Sequence, residues 1–110
     1  MDKFAVIVAG GSGSRMGNDT PKQFLEVGGR PLFIYSIDTF LRAYSDIKIM
    51  VVLPPSHLET GKRLIESTFT DVSGISTTEG GITRFESVKN GIVHAPQDSI
   101  IFVHDAVRCL

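Results

Sequence analysis

The chain has 110 residues, with 11 Lys and Arg against 12 Asp and Glu. That is the size of one domain, and the balanced charge excludes a binder that works by neutralising nucleic-acid phosphates. No apolar run reaches the ~18–20 residues of a membrane span, and the start lacks the basic region of a signal peptide. The single cysteine, Cys109, excludes a disulfide framework or a multi-cysteine zinc site and sits too late for a C-terminal lipidation box. A hydrophobic share of 42% is ordinary for a folded globular chain. These features imply a cytoplasmic protein whose ligands are small molecules, with neither nucleic acid nor membrane as partner.

Taken in chain order, Phe4 to Ala9 (FAVIVA) is a continuous apolar run that stops at a glycine cluster. Continuity rather than alternation marks a strand buried on both faces. Pro31 suits a first helical position, and Phe33, Ile37, Phe40, Leu41 and Tyr44 then recur at three- and four-residue steps. Lys48 to Leu53 (KIMVVL) repeats the strand signature and stops at Pro54-Pro55. Ser56 and Glu59 have capping-box spacing ahead of Leu64 and Ile65. Ile75 to Thr78 is a weaker strand before Gly80-Gly81. Thr83 and Glu86 repeat the capping-box spacing, with Phe85, Val88 and Ile92 as the apolar stripe. Ile100 to Val103 (IIFV) is a last strand, ending at His104-Asp105. Buried strands alternating with helices predict an α/β fold with a parallel sheet covered on its faces. The last strand reads as an interior one that lacks a neighbour, so residues 1–110 are expected to be the first half of a longer domain. In isolation such a chain is expected to be inactive and to associate.

Three segments carry chemistry. The first is AGGSGSRMG at 9–17, followed by PKQF at 21–24. Gly10, Gly11 and Gly13 let a backbone turn its N–H groups toward phosphate oxygens. The spacing of Gly11, Gly13 and Gly17 breaks the dinucleotide fingerprint, and Asn18 after Gly17 breaks the Walker pattern. What distinguishes this loop is Arg15 and, seven residues on, Lys22. Two cations suit a triphosphate and the charge that builds at an attacked phosphorus. A tight strand-to-helix turn with solvated Arg and Lys would show the same glycines.

The second segment is GGITRFESV at 80–88. A capped helix start presents free N–H groups, and Arg84 and Ser87 in its first turn can meet a base, ribose or phosphate. A capped surface helix fits the same residues. The third is VHDAVR at 103–108. Asp105 falls at the carboxyl end of a strand, where open α/β sheets bind ligands, and is a candidate for Mg²⁺, which takes one or two carboxylates plus nucleotide phosphates. His104 reads as a packed or hydrogen-bonded histidine, and His57 and His94 as surface residues. Arg108 is placed to pair with Asp105, hold the loop or meet phosphate.

In this order the three segments resemble the 2-C-methyl-D-erythritol 4-phosphate cytidylyltransferase family, over essentially the whole chain. The resemblance implies a doubly wound, mostly parallel, Rossmann-like nucleotidyltransferase fold, of which residues 1–110 form the N-terminal, nucleotide-binding half. It implies transfer of CMP from CTP to 2-C-methyl-D-erythritol 4-phosphate with release of pyrophosphate, in isoprenoid-precursor synthesis, by a homodimer using Mg²⁺. By the same resemblance Arg15 and Lys22 are the catalytic cations and Ala9, Gly10, Gly11 and Gly13 lie along CTP. Gly81, Arg84 and Ser87 surround cytosine and ribose, Asp105 lies near Mg²⁺, and Ala106 is a neighbouring nucleotide contact. The family often has Ala-Ala-Gly where this chain has Ala9-Gly10-Gly11, and proline where it has Cys109. Ala-Gly-Gly is also similar to ribitol-5-phosphate cytidylyltransferases and other sugar-phosphate nucleotidylyltransferases. A non-catalytic nucleotide-binding half-domain is the alternative of another class.

Overall fold

The computed structural model describes residues 2–9, 26–27 and 30–106. Among them four strands form one parallel sheet: β1 (Lys3–Val8), β4 (Lys48–Leu53), β5 (Ile75–Glu79) and β6 (Ile100–Asp105). A short antiparallel hairpin, β2 (Glu26–Val27) with β3 (Arg30–Pro31), precedes the first helix. Three helices, α1 (Leu32–Ala43), α2 (Leu58–Thr68) and α3 (Arg84–Ile92), link the main strands. Each strand expected from an apolar run is present, and Ile75–Glu79, which is mostly polar, lies at a sheet edge where such a composition fits.

The spatial order is β5-β4-β1-β6. The chain therefore steps outward from β1 through β4 to β5, then returns past its start to lay β6 on the other side of β1. Side-chain alternation shows which layer each helix joins. Ala5, Ile7, Ile49, Val51 and Leu53 face one core with Phe33, Ile34 and Ile37 of α1 and Ile65 of α2. Phe4, Val6, Val8, Met50 and Val52 face a second core with Val88 and Ile92 of α3. The direction of strand travel and the covering face reverse together, so all three crossovers keep one hand, as parallel connections require. The fold is doubly wound and Rossmann-like. Gly91 makes the α3 contact possible: a Cβ there would lie 2.5 Å from Val6 Cγ1.

Two helix starts differ from expectation. Pro31 is the N-cap of α1, not its first helical residue, because its extended ψ of 152° pairs it with Glu26 in the hairpin. Ser56 does not cap α2. Pro55 opens a 3-10 turn over Pro55–His57, closed by His57 N–H donating to Pro54 O at 2.9 Å, so α2 begins at Leu58. Ser56 Oγ instead lies 3.0 Å from His57 Nδ1. Thr83 and Glu86, by contrast, make the full reciprocal capping box. The turn before β5 is held by Asp71, whose carboxylate accepts from Ser73 Oγ at 2.7 Å and Ser73 N–H at 3.0 Å, bonds that hold its carboxyl below the ordinary range. Among the described residues no helix is long and apolar enough to cross a membrane.

Among the described residues β6 has a single neighbour, β1. Ile101 and Val103 are in register with Phe4 and Val6, on the side that α3 covers over β1 and β4, yet they remain 40% and 42% exposed. Uncovered apolar strand edges template association. Purified as these 110 residues, the protein is expected to self-associate, and the pair Ile101→Lys and Val103→Lys to move its size-exclusion profile toward monomer. An unsubstituted chain that elutes as a sharp monomer would remove this argument.

Candidate functional site

In a doubly wound sheet, ligands bind beyond the carboxyl ends of the strands at the point where strand order reverses. Here that point lies between β1 and β6. Val8 and Asp105 are register partners across it, so the strand that leads into the glycine loop and the strand that ends in a carboxylate finish side by side. Ala9 continues past β1 with its N–H donating to Val52 O at 2.7 Å, and it is wholly buried. Gly10, Gly11, Gly13, Arg15 and Lys22 lie outside the described residues, as do Arg108 and Cys109.

The carboxyl end of β5 continues into the loop 80–83, and α3 builds that loop from above. Gly80 N–H donates to Leu53 O at 2.8 Å, and Gly81 N–H to the buried Ser87 Oγ at 3.1 Å. Glu86 Oε1 accepts from Ile82 N–H at 2.9 Å and from Thr83 N–H at 3.3 Å. Asn90 Nδ2 donates to Glu79 O at 3.0 Å. Gly81 admits no side chain, because a Cβ would sit 2.4 Å from Glu86 Cβ. Spacing identifies Glu86 only as half of a cap and does not single out Asn90. Their second role, binding the loop to the helix, depends on how the chain doubles back after β5, and local pattern carries no signal of it.

Arg84 joins two of the three segments. From the first turn of α3 its Nε comes within 3.7 Å of Asp105 Oδ2. The carboxylate side is 20% exposed and the guanidinium side 60%, so the pair is partly open to solvent. Its value is orientation more than stability, since exposed pairs contribute about 0–1 kcal/mol. Asp105 thus stands at the switch point with a cation beside it, and Gly81, Arg84 and Ser87 lie on the adjoining loop and helix start. Ala106 is wholly buried in the core cluster that also holds Ala9 and Phe33, so its side chain contributes packing.

His104 packs edge-on against Phe40 at 5.9 Å between ring centroids. Its Nε2 is buried without a hydrogen-bond partner among the described residues, so the packed reading of this histidine holds. His94 is exposed and His57 half-buried. Among the described residues no group of three or more His, Cys, Asp or Glu is gathered as a metal cage. The Asp105 carboxylate at this edge fits Mg²⁺, which takes few protein ligands when nucleotide phosphates supply the others.

The family model for 2-C-methyl-D-erythritol 4-phosphate cytidylyltransferase matches residues 4–110. Among curated relatives, a protein of that name from Phocaeicola vulgatus is 44% identical over 108 residues, covering 98% of this chain and 49% of the relative. One from Clostridium botulinum is 36% identical over 105 residues, covering 94% of this chain and 46% of the relative. Among solved structures, 4-diphosphocytidyl-2C-methyl-D-erythritol synthase from Anaerococcus prevotii superposes with a TM-score of 0.76 at 28% identity, over 99% of this chain and 44% of that one. The bifunctional IspDF from Campylobacter jejuni gives 0.78 at 26% identity, over 100% of this chain and 27% of that one. The chain spans about half the length of the curated relatives it matches.

Proposed function

The chain belongs to the 2-C-methyl-D-erythritol 4-phosphate cytidylyltransferase family, and from that premise we propose that residues 1–110 form the nucleotide-binding half of a single nucleotidyltransferase domain. That domain transfers CMP from CTP to 2-C-methyl-D-erythritol 4-phosphate and releases pyrophosphate. The observation that carries this reading is the meeting, at one switch point, of the end of β1, the Gly81–Arg84 loop and Asp105.

The roles follow from the chemistry of each group. A phosphate monoester is already anionic near neutral pH, so the acceptor oxygen attacks the α-phosphorus of CTP in line without a general base. The α-phosphorus–oxygen bond to pyrophosphate breaks, and catalysis is positioning plus electrostatics. Arg15 and Lys22 supply the positive charge that the transition state gathers at phosphorus. Gly10, Gly11 and Gly13 line the triphosphate with main-chain N–H groups. Ala9 and Ala106, whose side chains are buried, act through their main chain. Gly81, Arg84 and Ser87 receive the cytidine. Ser87 Oγ accepts from Gly81 N–H, which leaves its own proton to donate. Asp105, held beside Arg84, would hold Mg²⁺, which when bound would supply neutralisation of phosphate charge. The working enzyme is read as a cytoplasmic homodimer.

Pyrophosphate release from CTP and Mg²⁺, measured on the full natural chain that contains these residues, tests the reading. Release is expected with methylerythritol 4-phosphate and not with ribitol 5-phosphate. Release with ribitol 5-phosphate alone would keep the mechanism and replace the acceptor. Silence with both, from a folded protein, would leave a non-catalytic nucleotide-binding module.

A further inference from the structure

We propose that the free edge of β5 is a docking surface for a second copy of this chain, which adds its own β5 antiparallel about a two-fold axis at Thr77. The edge lies opposite β6, and pairing there leaves the switch point untouched. In the parallel ladder Gly74 O accepts from Ile49 N–H, and Gly80 N–H donates to Leu53 O. Even-numbered residues of β5 therefore turn their main chain toward β4, and Ile75, Thr77 and Glu79 turn theirs outward. Part of that outward set is already used. Ile75 N–H donates to Val72 O at 3.0 Å, and Glu79 O accepts from Asn90 Nδ2 at 3.0 Å. Among the described residues this leaves Ile75 O, Thr77 N–H, Thr77 O and Glu79 N–H along the edge. The strand reads ISTTE, with neither the lysine nor the proline that blunts an exposed edge.

A two-fold rotation about Thr77 satisfies this set with itself. Antiparallel register then sets Thr77 against the copy's Thr77, and Ile75 against the copy's Glu79. The Thr77 residues exchange N–H to O bonds, and each Glu79 N–H donates to the copy's Ile75 O. The groups that this register would otherwise also pair, Ile75 N–H and Glu79 O, are the ones already bonded within the chain. Charge agrees with the symmetry. Lys62 and Glu66 are exposed one helical turn apart on α2, and with Ile65, Val72 and Ile75 they line a hollow of about 260 Å³ beside the edge. Ile75 packs on the α2 side of the sheet, and Thr77, two residues on, shares its face. Residues opposed in an antiparallel pair point to one face, so both copies carry α2 on the same side, running in opposite directions. Lys62 of each copy then meets Glu66 of the other, and the apolar floor of the hollow is covered behind that charged rim.

Sedimentation velocity of the full natural chain, over a range of protein concentrations, tests the pairing. The wild-type chain is expected to associate reversibly. Lys62→Glu and Glu66→Lys each set like charges together twice across the axis, and each is expected to weaken that association about tenfold. Lys62→Glu combined with Glu66→Lys restores opposite charges, and is expected to bring association back to within about threefold of wild type. Thr77→Pro removes the central donor, which faces away from β4, and is expected to abolish the step while each chain keeps its own sheet. Where the chain also pairs through another surface, the loss is read as a halving of mass. Circular dichroism checks that every variant is folded, and the charge series at exposed helix positions decides alone if Thr77→Pro is not. Single reversals that associate as tightly as wild type overturn the proposal, as does a double reversal no stronger than the singles. A wild-type monomer overturns it too, and leaves this edge to an extended peptide of another protein.

Discussion

Lys22→Ala and Arg15→Ala are each expected to slow CMP transfer about 10²- to 10³-fold while CTP still binds. The argument is one of charge at the reacting atom. In the proposed transfer the α-phosphorus would be attacked by one anion and left by another, so negative charge would crowd around phosphorus in the transition state. A cation aimed there acts more on kcat than on binding. On the proposed reading the triphosphate would have other partners in the glycine segment and in a metal held by Asp105, so losing one cation should leave nucleotide affinity within about tenfold, the size of a single charge-assisted hydrogen bond. Single-turnover pyrophosphate release and CTP titration separate the two quantities. Lys22→Arg is the sharper control. It keeps the charge but replaces a compact ammonium with a planar fork, so partial activity is expected, not full activity. If both alanine variants turn over at the wild-type rate, the two cations are ordinary solvated loop residues and the catalytic assignment fails. If affinity and rate fall together, the cations serve ground-state binding.

Much of the fold around this candidate site was legible in the sequence because its parts are local. FAVIVA, KIMVVL and IIFV are strands because a run with no polar break leaves no face for water, and the structure has them as β1, β4 and β6. Thr83 and Glu86 cap α3 as their spacing predicts. The same spacing at Ser56 and Glu59 fails because Pro55 directly precedes it. Its fixed φ starts a 3-10 turn and pulls Ser56 off the extended N-cap conformation. What the sequence could not show is nonlocal. Nothing between Glu79 and Ile100 says that β6 crosses back to pair with β1, not β5. The ion pair has the same origin. Within the sequence the cation nearest Asp105 is Arg108, three residues on, whereas in the structure Asp105 meets Arg84 of a different segment. The hydrogen bonds of Glu86 and Asn90 to the loop also depend on that return of the chain.

Phe33→Ala is expected to cost about 3–5 kcal/mol, a large part of the ~5–15 kcal/mol that holds a domain of this size folded. Phe33 is fully buried in the first turn of α1, within the cluster of Ala5, Ile7, Ile34, Ile37 and Ile49. Removing the ring loses its transfer free energy and leaves a cavity under the sheet that a rigid parallel core closes only in part. Phe33→Leu should cost less, about 1–2 kcal/mol, because most of the volume stays. Urea unfolding followed by circular dichroism gives both values, and an alanine variant within 1 kcal/mol of wild type would show that the site collapses freely. The consequence for function follows from who shares the cluster. Ala9 and Ala106 belong to it, and they directly follow the ends of β1 and β6 at the switch point. A cavity beneath them loosens the two strand ends that orient the glycine segment and Asp105. The folded fraction of Phe33→Ala is therefore expected to bind CTP more weakly although Phe33 lies within the core, and wild-type affinity per folded molecule would show that the switch point is held by the sheet ladder alone.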